Sequence, residues 1–343
     1  IHLSRSLEPA VAAALPEPAL RPWHGALAYL IAAQNPDARL KYDAIDGLFR
    51  SLNPHVVVMS SGIDQLTYVR SWARRNRVKT VRLPHGVEAH LDARYAWDAD
   101  RIGSLGDRVA TRLRENGRSS EHVPPLGGMH LAHQGQEAAT RVARLRAERP
   151  VDPGRILIML SGYWGYDYPD ATDEVRDDFE RLARALAPRG ARLALRCHPR
   201  HFDASTYKLL CAELGDLGLD IEWSDAKASL AEDLARSEAA LTRTWNGSAL
   251  MCLYADVPLL AWLPRPTYRD LEEPLRGLPL CATSPEEAAG WLVRLREDGP
   301  FRRDVVEKQR GHLGSFIANP WDAPFAPAVR LIKEEMEKLS SVE

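Results

Sequence analysis

Ala239–Trp262, AALTRTWNGSALMCLYADVPLLAW, alternates apolar blocks with a polar turn and a short break. Ala239–Leu241 reads as the end of a buried strand. Thr242-Arg243-Thr244-Trp245-Asn246-Gly247 is polar with one glycine, and Ser248–Tyr254 reads as about two turns of helix. Asp256-Val257-Pro258 breaks that helix, and Leu259–Trp262 is apolar again, a second buried strand. In an open α/β sheet, ligands bind where a strand's carboxyl end turns into a helix. Free N–H groups at the helix start suit a phosphate, and Thr242, Thr244, Asn246 and Ser248 add polar side chains beside Gly247. The same letters also suit an ordinary strand–turn–helix capped by Asn246 or Ser248.

Outward from this stretch, the pattern repeats. Upstream of it, Arg155–Leu160, Arg192–Cys197 and Gly218–Glu222 read as strands. Helices at Asp173–Ala187, Thr206–Leu214 and Ser229–Ala235 separate them. Before the linker Pro150–Gly154 (PVDPG), the strands are His55–Met59, Lys79–Leu83, Arg101–Leu105 and a short one within Glu121–Met129. Residues 23–52, Ile63–Arg74, Asp107–Glu115 and Gln136–Glu148 read as helices. After Trp262 the chain is loop-rich through Pro279, with helices at Pro285–Glu297, Phe301–Gly311 and Pro327–Leu339. Strands alternating with helices predict parallel, doubly wound sheets.

The expected organisation is α/β with two Rossmann-like domains, residues 1–150 and 151–323, and a nucleotide cleft between them. The last helix, within 324–343, is expected to pack back on the first. A length of 343 residues suits two such cores.

Composition narrows the function. With 45 basic against 47 acidic side chains, bulk electrostatics make no case for nucleic acid. No apolar run reaches the roughly 18 residues of a membrane span. The first residues are Ala-rich and broken by Pro, unlike a secretory signal. The chain starts at Ile1 without an initiator Met, so a longer polypeptide with further domains is compatible with it. Cys197, Cys211, Cys252 and Cys281 fit neither a zinc site nor a CxxC pair, and read as reduced, buried thiols of a cytoplasmic protein.

Residues with chemistry cluster where strands end. His85 follows a buried strand and precedes Gly86, which places an imidazole at the sheet's edge as a candidate general base. Glu88 and His90 could orient it, and Asp64 opens a helix after Ser60-Ser61-Gly62. In the second half, His198-Pro199-Arg200 with His201 forms a cationic cluster fit to offset the charge of a leaving phosphate. Ser161 opens the loop SGYWGYDYPD, whose aromatics could cover a base or an acceptor, and Glu272 and Glu273 could meet ribose hydroxyls. Asp98-Ala99-Asp100 matches a DxD in letters but follows no strand, so no metal is expected.

Strand-PHG, then strand-HPR, then a hydroxyl-rich turn, helix and ADVPLL resembles the GT-B glycosyltransferases that use cytidine-activated donors. These include the bacterial polysialyltransferases, the Kdo transferases and the teichoic-acid glycerophosphotransferases. The resemblance spans roughly residues 55–262. It implies donor-phosphate contacts from His198 and from the turn at Thr242, Thr244 and Ser248, and a catalytic base at His85. Pro84-His85 stands where several members carry an acidic pair, and Asn246-Gly247-Ser248 where many carry adjacent hydroxyls.

The implied activity is transfer of a sugar or alditol phosphate from a CMP- or CDP-activated donor to a glycan or glycolipid acceptor. It needs no cofactor, and attachment to the inner face of the membrane is compatible with it. Two alternatives stand beside it: a UDP-sugar transferase or 2-epimerase of the same fold, and a catalytically inactive GT-B-like scaffold domain.

Overall fold

The computed structural model describes residues 36–59, 63–84, 99–115, 117–160, 172–196, 204–216, 218, 220–224, 229–264 and 274–340. Within them, α1 (Pro36–Leu52), β1 (Val56–Met59), α2 (Ile63–Asn76), β2 (Lys79–Arg82), β3 (Arg101–Ile102), α3 (Asp107–Glu115) and α4 (His130–Glu148) form the first half. The second half holds β4 (Arg155–Met159), α5 (Thr172–Leu186), β5 (Arg192–Arg196), α6 (Ala204–Asp216), β6 (Ile221–Ser224), α7 (Leu230–Arg236) and β7 (Ala239–Thr242). It continues with α8 (Gly247–Tyr254), β8 (Leu259–Trp262), β9 (Cys281–Ala282), α9 (Pro285–Glu297), α10 (Gly299–Phe316) and α11 (Ala326–Ser340).

The larger sheet has the order β6-β5-β4-β7-β8-β9, with every described pairing parallel. Its inner strands β4, β7 and β8 are buried on both faces, as their near-continuous apolar runs require. Alternate side chains serve opposite layers. Ile156, Ile158, Leu260 and Trp262 meet Phe179 and Leu182 of α5 and Leu292 of α9. Leu157, Met159, Leu259 and Ala261 join a cluster with Leu131 of α4, Leu234 of α7, Leu250 of α8 and Phe316 of α10. That second cluster also takes in Val57, Ile102 and Leu113, so apolar contact is continuous from the first half to the second.

The smaller sheet has the order β1-β2-β3 among the described residues, again parallel. Val57 and Met59 face the shared cluster, against which Phe49 of α1 and Val69 of α2 pack. Val81 and Leu83, on the other face, pack with Ala328 and Leu331 of α11. Arg101 Nη1 meets Glu335 Oε1 of α11 at 2.7 Å.

Two expectations are corrected. No strand forms within 121–129. A 3-10 turn at Ser120–His122 is followed by a single parallel bridge, Ser104 to Pro125, because the prolines at 124 and 125 cannot supply ladder donors. Helix α4 begins at His130 rather than Gln136, with Met129 at its start in a positive-φ conformation and no side-chain cap. Beyond the segment read as loop-rich through Pro279, a short edge strand that no sequence pattern marked, β9, pairs with β8 through Ala261–Cys281 and Trp262–Ala282. Residues 23–35 of the expected first helix lie outside the described residues. Cys211 and Cys252 are buried free thiols; Cys197 lies outside the described residues.

Candidate nucleotide site

The order β6-β5-β4-β7-β8-β9 reverses direction between β4 and β7, and a crevice opens outside the carboxyl ends of the strands at such a point. Register fixes its floor. Met159 pairs with Arg196 on one side and with Thr242 on the other, so β5, β4 and β7 finish level. Neighbouring strand ends are then about 4.8 Å apart. Two residues beyond Arg196 in the chain is His198, one beyond Leu160 is Ser161, and Thr242 itself opens the turn into α8.

The turn is held by its own polar groups. Thr242 Oγ1 donates to the Thr244 carbonyl at 2.9 Å and accepts from Thr244 N–H at 3.4 Å. Asn246 is the N-cap of α8: its Oδ1 accepts from Ala249 N–H at 2.9 Å, while its Nδ2 donates to Thr244 Oγ1 at 3.2 Å. Thr242 and Thr244 are buried, at 0% and 4% exposure, so their hydroxyls shape the turn from beneath. Asn246, Gly247 and Ser248 are half-buried and form its accessible rim.

Gly247 and Ser248 are the first residues of α8, and their N–H groups precede the first intrahelical bond, Leu250 N–H to Asn246 C=O. Among the described residues, a Cβ built on Gly247 would meet only Leu131 Cδ2, at 3.8 Å, an ordinary contact. Packing by the described residues therefore does not require glycine there, and they leave the backbone at the helix start open. Beyond Ser248, α8 is apolar and buried from Ala249 to Tyr254.

Two features escaped sequence reading. Arg243, following β7, is 5% exposed, and its guanidinium lies over the Trp262 ring at 4.9 Å, which puts a buried cation beside the turn. Second, Asp233 of α7 ties strands together beneath the crevice. Its Oδ1 accepts from Arg155 Nη2 at 2.8 Å, and its Oδ2 from Arg196 Nη1 at 2.6 Å and from Ser224 Oγ. Arg155 Nη1 also donates to Ser237 Oγ at 2.6 Å. A charged residue opening a strand reads locally as solvated; only the 78-residue separation between Arg155 and Asp233 being closed reveals the pair.

Other expected residues are placed only in part. Asp64 is the second residue of α2, with its side chain outside the described residues. His85, Gly86, Glu88, His90, Ser161, Tyr163–Asp170, His198, Arg200, His201, Glu272 and Glu273 all lie outside them. Asp100 is described: its Oδ2 accepts from Thr80 N–H at 2.8 Å and from Thr80 Oγ1 at 2.7 Å, a structural engagement. Among the described residues, no cluster of three or more His, Cys, Asp or Glu is arranged to hold a metal ion, and no helix is long and apolar enough to cross a membrane.

One group in the seam beside the turn is electrostatically perturbed. His312 of α10 packs against Trp245 and Phe316, with ring centroids 5.8 and 5.0 Å away, and its Nε2 contacts the Pro274 carbonyl at 3.0 Å. Burial lowers its pKa to about 4; the Pro274 bond opposes this, and the nearby Arg108 charge adds to it.

No family model matches the chain, and no curated protein matches it by sequence. Solved structures do. A Listeria monocytogenes protein provisionally assigned as a UDP-N-acetylglucosamine 2-epimerase superposes with a TM-score of 0.62 at 14% identity, over 88% of this chain and 80% of that one. The UDP-GlcNAc 2-epimerase of Methanocaldococcus jannaschii gives 0.57 at 14% identity, over 87% and 82%. Anabaena HepE in complex with UDP and glucose gives 0.56 at 14% identity, over 90% and 83%. At such identities the likeness establishes the fold: the chain is α/β with parallel sheets, matching GT-B-fold proteins.

Proposed function

We propose that the chain is a nucleotide-sugar enzyme that binds a UDP-sugar in the crevice and cleaves the bond between the sugar's anomeric carbon and the diphosphate. The observation that carries this reading is the turn Thr242–Ser248, which presents the open N-terminus of α8 at the point where the strand order reverses. The diphosphate would lie against the Gly247 and Ser248 N–H groups. Arg243, His198 and Arg200 would offset the charge that develops on the leaving nucleotide, with Ser161 adding a hydroxyl from the end of β4.

Uridine is preferred to cytidine as the base. Solved neighbours of this fold include proteins held with UDP and with UDP-GlcNAc, while the cytidine reading rests on three short sequence motifs. The transfer reading assigns His85 as the base that takes a proton from an acceptor hydroxyl, with Glu88 or Asp64 orienting it. A second reading, 2-epimerisation, is favoured by the epimerases among the structural neighbours.

Product analysis separates the two. UDP-GlcNAc and UDP-glucose would be incubated with the chain, with and without a mixture of glycan acceptors. Transfer predicts UDP release that rises with acceptor. Epimerisation predicts a new sugar product without acceptor. No turnover together with retained UDP binding would leave a scaffold domain. No turnover and no binding would overturn the proposal.

A further inference from the structure

We propose that the end of the first sheet where its strands begin is a docking surface for an anionic lipid bilayer. Helices α1 and α2 lie side by side and both finish there. The Phe49 and Trp72 rings meet edge to face with centroids 4.8 Å apart, and Trp72 Nε1 donates to Asp46 Oδ1 at 3.0 Å. Strands β1 and β2 start level at this end, with Val56 opposite Lys79.

The outward face of α1 is unusual for a helix in water. Ala44, Gly47, Leu48, Ser51 and Leu52 fall at i, i+3, i+4, i+7 and i+8, all are exposed, and none is charged. Leu48 is 54% exposed and Leu52 64%. Beside them, the last turn of α2 and the start of β2 expose Arg74, Arg75, Arg77 and Lys79. Arg50 and His55, both exposed, complete the basic rim.

Among the described residues, the carboxylates at this end include Asp43, Asp46, Asp100 and, on Arg101 at the start of β3, Glu335, which Lys338 also meets. Asp46 is engaged by Arg50 and Trp72, and Asp100 by Thr80, with Lys79 at 4.0 Å. Among the described residues, Arg50, Arg74, Arg75, Arg77 and Lys79 thus gather beside the uncharged face of α1, on a chain whose net charge is −2.

Exposed aliphatic side chains beside arginines match the boundary between acyl chains and acidic headgroups. A polyanion in solution would use the cations and leave the two leucines in water; that difference decides for the bilayer. The inference stands apart from the nucleotide reading, since these residues are at the opposite end of their strands from the carboxyl edge.

The test is co-sedimentation of the full chain with vesicles of phosphatidylcholine, with or without about one-third phosphatidylglycerol, at low and high salt. Binding is expected to the anionic vesicles alone and to fall with salt. Arg74→Glu with Arg77→Glu should weaken it by about thirtyfold or more. Leu48→Ser with Leu52→Ser should weaken it by about tenfold or more. Every altered side chain is exposed, and an unchanged melting midpoint verifies the fold of each variant. No enrichment on anionic over neutral vesicles overturns the inference. So does binding that survives the leucine changes, which would mark a site for a soluble acidic polymer.

Discussion

Gly135 of α4 lies against the ring of Tyr254 of α8, so closely that a methyl group at position 135 would overlap three of the ring carbons. Tyr254 is 1% exposed and is backed by Trp321, with ring centroids 5.0 Å apart, so the ring has little room to retreat. This crossing of a first-half helix over a second-half one sets the position of α8, and hence of its open N-terminus. Gly135→Ala should destabilise the chain by about 1–3 kcal/mol through overpacking. Tyr254→Leu in the same chain should recover part of that loss. A double-mutant cycle in urea measures the coupling, and simple additivity would show that the contact does not position α8.

Asn246 and Gly247 are neighbours with opposite expected phenotypes. Asn246→Ala removes the N-cap bond to Ala249 and the link to Thr244, and should cost about 1 kcal/mol of stability. Gly247→Ala finds room for its methyl group among the described residues and should leave stability within about 0.5 kcal/mol of the parent, while obstructing close approach of a phosphate to the backbone. Denaturant midpoints and nucleotide titrations on both variants check the contrast.

Asp233 is the acceptor shared by Arg155 and Arg196, and all three are buried. Asp233→Ala would leave two cations without that carboxylate and should cost about 3–5 kcal/mol. A loss below about 1 kcal/mol, read from urea melts, would mean that water or Glu222 takes over, as the bond from Arg155 Nε to Glu222 at 2.8 Å would permit.

His312 predicts a pH dependence. Its pKa is about 4 folded and near 6.5 unfolded, so between those values the unfolded chain binds more protons. The contribution of the neutral, buried ring is therefore complete above pH 6.5, is lost as pH falls toward 4, and is absent below it. The loss should be on the order of 3 kcal/mol over the whole window, with about 2 kcal/mol of it between pH 7 and pH 5. Comparing the stability of the parent and His312→Gln at pH 7 and pH 5 checks this: the parent should lose more. Equal losses in both chains would place the pH dependence elsewhere.

Much of the fold can be read from residues that decide their structure locally. Leu259–Trp262 is a strand as its apolar run requires, bounded by Pro258 and fully buried. Pro285–Glu297 is a helix because Ser284 caps it and Pro285 takes its first position. The start of α4 was not legible, since Gly127-Gly128-Met129 carries the signals of a loop and the helix begins without a side-chain cap. Strand β9 is two residues long and depends on β8 for its pairing, so no periodicity announces it.

The site divides along the same line. The polar turn at Thr242–Ser248 was visible because β7 and β8 flank it with apolar runs. What its letters could not show is the division of labour, in which Thr242 and Thr244 are buried supports while Asn246, Gly247 and Ser248 form the rim. Arg243 went unnoticed because its surroundings come from β8 rather than from its neighbours in sequence.

Whether a nucleoside diphosphate seats on the start of α8 is decided by calorimetric titration of UDP and CDP into the parent chain and Gly247→Ala. UDP should bind the parent more tightly than CDP, and the glycine substitution should weaken UDP by about tenfold or more while stability is kept. Failure of the parent to bind either nucleotide, or equal UDP affinity in the parent and Gly247→Ala, would contradict that seating.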